Sequence, residues 1–208
     1  MSQLKTKIAS IICCLSMLAL GTTATANDSL SFTAQESVVY PISGNLPDLS
    51  FKLLSRNNQV VTEKDVAGKV AVVFFGYANC PDICPLTLAQ LNLVLKKLGP
   101  DASKQVQIIF ISVDPLRDTP DNVQTYVDAF KNGAIGLSGS PKDIQSIAKR
   151  YRVSYQVDRP KDASQDTDYE VMHARGIYIF DQKGKARFLA SDADQPDALI
   201  KALKTLIQ

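Results

Sequence analysis

The chain has 208 residues, of which 45% are hydrophobic and 21% are charged. These proportions fit one globular domain with a substantial core, and they exclude a disordered or fibrous protein. The formal net charge is +2. Lys5 and Lys7 account for it, because residues 1–26 contain no acid. We find no basic patch, so the sequence does not indicate a nucleic-acid partner.

Residues 1–26 have the features of a secretory signal peptide. The positive start is followed by an apolar stretch over residues 8–20, which is short for a membrane span, and by the small-residue cleavage site Ala24-Thr25-Ala26. An uncleaved membrane anchor is the alternative. We therefore expect export to the periplasm, or anchoring to the outer face of the inner membrane.

The four cysteines form two pairs with different surroundings. Cys13 and Cys14 lie in the signal segment and lack the preceding small residue that a lipoprotein site usually has, so lipidation is not predicted. Cleavage of the signal would leave Cys80 and Cys84 as the only cysteines. In an exported protein such a pair lies where disulfides can form.

The mature chain is expected to begin with an irregular segment over residues 27–46, followed by one domain over residues 47–208. Near the start of that domain, the apolar stretches 51–54 and 60–61 flank polar residues 56–59. This pattern predicts a β-hairpin.

The apolar run Val70 to Phe75 predicts a buried strand, and a loop with two cysteines follows it. From Leu86 onward, leucines spaced by three and four predict a helix that ends at Gly99-Pro100. Cys84 then lies near the helix N-terminus, where free backbone N–H groups and the helix dipole favour a thiolate. Such a cysteine is reactive or metal-binding rather than inert.

The remaining patterns alternate between strands and helices. They predict a strand at 106–113, a helix at 120–130 capped by Thr119, a strand at 135–137, a helix from Ser140 to about Tyr151, an extended segment at 153–157, an exposed insertion at 158–168, strands at 169–172, 176–180 and 186–190, and a last helix from Pro196. This order predicts an α/β protein with a mixed sheet covered by helices on both faces. With a cysteine pair after an early strand, we predict a thioredoxin-like fold with the hairpin as an N-terminal extension.

Three chemistries compete for Cys80 and Cys84. A structural disulfide would close a very small loop and stabilise little. Thiol–disulfide exchange is compatible, although the spacing has one residue more than the usual thioredoxin pair. Metal binding is equally compatible, because thiolates select Cu(I) and an added imidazole also suits Cu(II). From the residues alone, redox chemistry and metal binding remain equal alternatives.

His173 is the only histidine, and its spacing alone does not place it near the cysteines. We expect the neighbouring Met172 to fill a gap in the packing rather than to bind a metal. For Asp114, Arg117 and Asp118, two hypotheses stay open. They form either a loop that supports the site or docks a partner, or a solvated turn with an ion pair of little energetic value.

Three motifs together resemble the Sco/SenC family. They are the loop Cys80-Pro81-Asp82-Ile83-Cys84-Pro85, the segment from Asp114 to Pro120, and the segment from Asp168 to His173 followed by Tyr178. The resemblance runs from about Pro47 to the C-terminus. It implies a thioredoxin-like fold and one copper ion held by Cys80, Cys84 and His173.

The resemblance also implies a metallochaperone rather than an enzyme, active in building the dinuclear copper centre of cytochrome c oxidase. The expected partners are a copper-acceptor subunit of that oxidase and another copper chaperone, with the chain itself a monomer. The alternative is a thiol–disulfide oxidoreductase that reduces acceptor cysteines and uses Cys80 and Cys84 as redox-active residues. A peroxidase is a third hypothesis.

The sequence departs from the family pattern beside the proposed ligands. Ala78-Asn79 stands where the family often has Thr-His, and Met172 and Ala174 flank the histidine where polar residues are usual. No ligand is lost, but polar neighbours orient metal ligands, so these changes bear on how the site is supported.

Overall fold

The computed structural model describes residues 39–164 and 167–207, so the predicted signal segment lies outside the described residues. In chain order the elements are β1 (Val39–Pro41), β2 (Lys52–Ser55), β3 (Gln59–Thr62), β4 (Val70–Gly76), α1 (Ile83–Leu98), α2 (Pro100–Ser103), β5 (Val106–Ser112), α3 (Pro120–Asp128), β6 (Ile135–Leu137), α4 (Pro141–Arg150), β7 (Tyr155–Val157), β8 (Val171–His173), β9 (Ile177–Phe180), β10 (Ala186–Ala190) and α5 (Pro196–Lys204). Within this part of the chain, no helix combines the length and apolar character needed to cross a bilayer.

A six-stranded mixed sheet forms the centre of the domain. Its strand order is β1-β10-β9-β4-β5-β6, with β4, β5 and β6 parallel and β9 antiparallel to β4. Every residue of β4 and β5 is buried, as expected for parallel strands that are covered on both sides. The predicted mixed α/β sheet is confirmed.

Helices cover both faces of this sheet. Consecutive strand residues point to opposite faces, so the side chains of Phe74 and Phe75 on β4 lie on opposite faces of the sheet. The Phe74 ring lies 5.7 Å from that of Phe110, which in turn lies 5.6 Å from Tyr126 on α3. The Phe75 ring lies 6.5 Å from that of Tyr151, at the end of α4. Helices α3 and α4 therefore pack on opposite faces, in agreement with the thioredoxin-like prediction.

The predicted helix caps are confirmed. The Thr119 side chain accepts a hydrogen bond from the backbone N–H of Asn122, and Ser140 forms a reciprocal capping box with Asp143. In the last helix the apolar residues Leu199, Ile200 and Leu203 are buried, as is Leu206 just beyond its end. The starts of α3, α4 and α5 could thus be predicted from local signals, whereas the short helix α2 was not predicted and α3 ends at Asp128 rather than at residue 130.

Two differences from the predictions concern short strands. Residues 39–41 lie in the segment expected to be irregular, yet they form β1 by antiparallel pairing with β10. The strand expected at 169–172 is instead β8 over Val171–His173, which pairs with β7 in a separate two-stranded sheet. His173 is therefore the last residue of a strand. The hairpin of β2 and β3 forms as predicted.

Candidate metal centre

Cys80 and Cys84 lie in the turn from β4 to α1. The helix begins at Ile83, earlier than predicted, so Cys84 lies in its first turn and is fully buried. Cys80 precedes the helix and is partly exposed. Its Sγ accepts a hydrogen bond from the backbone N–H of Cys84 at 3.4 Å. Both thiols are free, so the pair is available for metal binding or exchange.

The two thiols have opposite acidities because they share one hydrogen bond. The thiol of Cys84 donates to the sulfur of Cys80, and this bond, with help from the backbone N–H groups of Asp82 and Cys84, lowers the pKa of Cys80 to about 4. The same bond, together with burial, raises the pKa of Cys84 well above its ordinary value. The helix N-terminus led us to expect the thiolate at Cys84, whereas the opposite directions of the two pKa shifts favour it at Cys80.

His173 completes a compact cluster with the two cysteines. Its Nε2 lies 3.4 Å from Cys84 Sγ, and the three potential ligand atoms all lie within 4.8 Å of one another. On the other side of the ring, Nδ1 lies 3.1 Å from the carbonyl oxygen of Ala174. In the tautomer with the proton on Nδ1, that nitrogen donates to the carbonyl oxygen and the Nε2 lone pair is available to a metal at the cysteines. The structure thus brings together the three residues named from sequence.

Aromatic rings hold the imidazole in place. The Tyr77 ring meets His173 edge-on at 5.9 Å and 87°, and the Phe74 ring lies 6.0 Å away. Burial and the nearby charge of Cys80 raise the pKa of Tyr77 to about 12. Sequence reasoning did not identify Tyr77 as part of the site, although its position three residues before Cys80 offered a signal.

The loop after β5 contacts the backbone of the cysteine turn. Asp114, Arg117 and Asp118 are all buried, so the solvated-turn hypothesis is wrong. Oδ2 of Asp118 accepts hydrogen bonds from the backbone N–H of Ala78, at 2.8 Å, and from the Ser112 hydroxyl, at 2.6 Å. Burial outweighs these bonds and raises the pKa of Asp118 to about 6. The carboxyl group thereby fixes the backbone two residues before Cys80.

Gly76 and Met172 show how space is used around the cluster. A Cβ on Gly76 would lie 2.7 Å from Cys84 Sγ, so only glycine leaves room for that sulfur. Met172 was expected to fill a gap in the packing, and this is wrong, because the residue is 59% exposed. Neighbouring residues of a strand point to opposite sides, so Met172 faces solvent while His173 faces the cysteines.

The comparisons with known proteins agree on one family. The sequence model described as SCO1/SenC matches residues 43–208. The chain is 41% identical over 129 residues to "Protein SCO1 homolog 1, mitochondrial" of Arabidopsis thaliana, covering 62% of this chain and 37% of the relative. It is 34% identical over 162 residues to "Protein SenC" of Rhodobacter capsulatus, covering 74% of this chain and 71% of that protein.

Among solved structures, ScoI of Bradyrhizobium japonicum with copper bound matches with a TM-score of 0.65 and 36% identity. The match covers 77% of this chain and 99% of that one. The chain spans between 37% and 51% of the length of the first three curated relatives.

Proposed function

The chain belongs to the SCO1/SenC family, and from this we propose that it is a metallochaperone that binds one copper ion and delivers it to an acceptor protein. The observation that carries the proposal is the approach of two thiols and one imidazole to within 4.8 Å. Two soft thiolates select Cu(I), and the imidazole extends the site to Cu(II). The related ScoI of Bradyrhizobium japonicum holds copper.

In this proposal Cys80, Cys84 and His173 are the ligands, each with a different accessibility. Cys84 is 0% exposed, whereas Cys80 and His173 are only partly buried. An incoming acceptor thiolate can reach copper beside the two accessible ligands. We therefore propose that copper leaves Cys80 or His173 first and Cys84 last.

Copper titration of the reduced protein tests the ligand set. We expect Cys80→Ser and Cys84→Ser to abolish tight binding, and His173→Ala to weaken it. The matched control is Met172→Ala, which changes the exposed neighbour of His173 on the same strand and should bind copper as the unchanged protein does. Unaltered stoichiometry and affinity in the three ligand variants would contradict the proposal.

The acceptor we propose is the cytochrome c oxidase subunit that carries the dinuclear copper centre, the role that the Sco/SenC resemblance implies. Mixing the copper-loaded chain with the apo acceptor domain should transfer the metal, which the absorption of the assembled centre reports. Retention of copper by this chain at equilibrium would count against delivery. A second copper-loaded protein mixed with the apo chain is identified as a donor if copper moves from it to this chain.

A second candidate function is a thiol–disulfide oxidoreductase, and the lowered pKa of Cys80 favours it. The Cys80 thiolate would attack an acceptor disulfide, forming a mixed disulfide and releasing one acceptor thiolate. Cys84, once deprotonated, would then displace the second acceptor thiolate and leave a Cys80–Cys84 disulfide. His173→Ala discriminates between the two functions, because it should abolish copper delivery but preserve thiol exchange.

We also propose that residues 1–26 direct export, which would place the domain in the periplasm or at the outer face of the inner membrane. The support is the signal-like pattern of those residues. Mass spectrometry of the protein from its native host distinguishes a mature N-terminus near Asn27 from an intact anchor. Recovery of the intact chain in the cytoplasm would contradict export.

A further inference from the structure

His173 is carried by a part of the chain that makes little backbone contact with the main sheet. Strands β7 and β8 have three residues each and pair with each other, while among the described residues the six-stranded sheet does not include them. A two-stranded ribbon of this size is marginally stable in water by itself. Side-chain contacts therefore contribute to holding His173 at the cysteines.

One such contact begins at Tyr169, two residues before β8. Tyr169 is buried, and its hydroxyl donates to Asp114 Oδ1 at 2.6 Å. Its ring faces the guanidinium of Arg117, whose Cζ lies 3.7 Å from the ring centroid. Arg117 in turn donates from Nε to Asp114 Oδ2 at 2.5 Å. The loop after β5 thus binds Tyr169, in the segment that leads into β8.

The same guanidinium also reaches the cysteine turn. Arg117 Cζ lies 5.7 Å from the centroid of the Tyr77 ring, which itself meets His173 edge-on. The Arg117 side chain is only 3% exposed, and Nη2 finds no hydrogen-bond acceptor among the described residues. A buried donor without an acceptor is unfavourable, and the attraction between the cation and the two ring faces offsets it.

We propose that Arg117 is a positioning residue for copper. It contacts Tyr77 from the cysteine turn and Tyr169 from the histidine segment, and so fixes the distance between the two parts of the site. A lysine would keep the charge but would lose the planar surface that packs against both rings. The consequence for copper rests on the proposed function, whereas the consequence for the position of His173 does not.

The metal-free protein offers a direct measurement, because His173 is the only histidine in the chain and its ring signals need no assignment. In the reduced full-length chain, the rings of Tyr77 and Phe74 should shift the imidazole resonances away from those of a free histidine. We expect Arg117→Lys and Tyr169→Leu to move these resonances toward free-histidine values. The matched control is Arg150→Lys at the last residue of α4, where the Arg150 Cζ lies 5.7 Å from the centroid of the Tyr151 ring. This substitution should leave the imidazole resonances unchanged.

Copper affinity then tests whether Arg117 and Tyr169 act on copper binding through His173. We expect Arg117→Lys and Tyr169→Leu each to weaken copper binding about 10- to 100-fold, the usual effect of losing a group that orients a ligand. In a His173→Ala background neither substitution should weaken it further, because the positioned ligand is absent. If Arg117→Lys does not fold, Tyr169→Leu decides alone, since it leaves the Arg117–Asp114 pair intact.

The outcomes separate the two proposals. If His173→Ala leaves copper affinity unchanged, the proposed ligand set fails whatever Arg117 does. If His173→Ala weakens binding but folded Arg117→Lys and Tyr169→Leu keep both the imidazole resonances and the copper affinity, the positioning role fails. Equal weakening by Arg117→Lys with and without His173 would also overturn it.

Discussion

Gly76 is the residue that sets how closely β4 approaches the buried cysteine. A Cβ at this position would lie 2.7 Å from Cys84 Sγ and 2.7 Å from Cε2 of Phe110. We therefore expect Gly76→Ala to displace the sulfur, to lower copper affinity at least about tenfold and to destabilise the fold by about 1–3 kcal/mol. Copper titration and urea unfolding measure the two effects.

Gly136→Ala is the matched control for that substitution. Its Cβ would lie 2.7 Å from the carbonyl oxygen of Val123, so the clash is with the backbone of α3 rather than with a cysteine. We expect it to destabilise the protein but to leave the copper affinity of the folded fraction unchanged. An equal loss of affinity in both variants would show that the Gly76 effect is a general loss of packing.

Asp118 should make stability depend on pH. Burial raises its folded-state pKa to about 6, so the folded protein binds this proton more tightly than the unfolded chain does. This tighter binding stabilises the folded state: its contribution to the free energy of unfolding is complete below about pH 4 and is lost as the pH rises through about 6. Over this range it amounts to on the order of 3 kcal/mol. Asp118→Asn keeps an oxygen acceptor for Ala78 and Ser112 but should lack this pH dependence.

Urea unfolding of the reduced, metal-free protein between pH 4 and 7 checks the Asp118 prediction. Asp128 provides a control of opposite sign, because hydrogen bonds from Gln124 and Arg56 lower its pKa. Its contribution is present at neutral pH and is lost as the pH falls, so Asp128→Asn should weaken stability at pH 7 more than at pH 4. Parallel pH profiles for Asp118→Asn and the unchanged protein would refute the assignment.

At the residue scale, the limit of prediction from sequence is seen at His173 and Asp118. His173 lies 89 residues from Cys84, and no local pattern relates positions so far apart, so only the family resemblance pointed to it. Asp118 lies in a polar segment that is solvated by default. Its burial follows from hydrogen bonds to Ser112 and Ala78, which exist only once β4 and β5 pair.

Among the helices, α4 depends on its N-terminal cap. The hydroxyl of Ser140 accepts a hydrogen bond from the backbone N–H of Asp143 at 3.2 Å, and the Asp143 carboxylate accepts one from the backbone N–H of Ser140 at 3.3 Å. Ser140→Ala should lower the free energy of unfolding by about 1 kcal/mol without changing copper affinity. Ser140→Thr keeps the hydroxyl and should restore most of the stability. A change in copper binding in either variant would contradict the separation of cap and site.

Elements with strong local signals could be predicted closely, whereas those defined by partners could not. Helices α3 and α4 begin at the proline that follows their cap, as predicted. Helix α1 begins at Ile83 instead of Leu86, and its N-cap residue Asp82 makes no side-chain capping hydrogen bond, so no capping signal marked this start in the sequence. Strand β1 has no signal of its own, since its extended conformation comes from pairing with β10.

For the whole molecule, copper binding should be linked to folding through His173. The two cysteines are close in sequence and can bind copper even in the unfolded chain, which reduces the stabilisation that they provide. The histidine joins them only when β8 lies against the cysteine turn. In the proposed site, His173 therefore adds to copper affinity only in the folded state.

Thermal unfolding of the reduced protein tests this linkage. At a free copper concentration 100-fold above the dissociation constant, exclusive binding to the folded state would add about 2.7 kcal/mol, which raises Tm by about 5–11 °C in a domain of this size. We expect a clear rise in the unchanged protein and in Met172→Ala. In His173→Ala, copper should still bind to the cysteines, yet most of the rise in Tm should be absent, because the remaining ligands are available in both states. A full rise in Tm for His173→Ala would show that the folded cysteine turn alone accounts for the stabilisation.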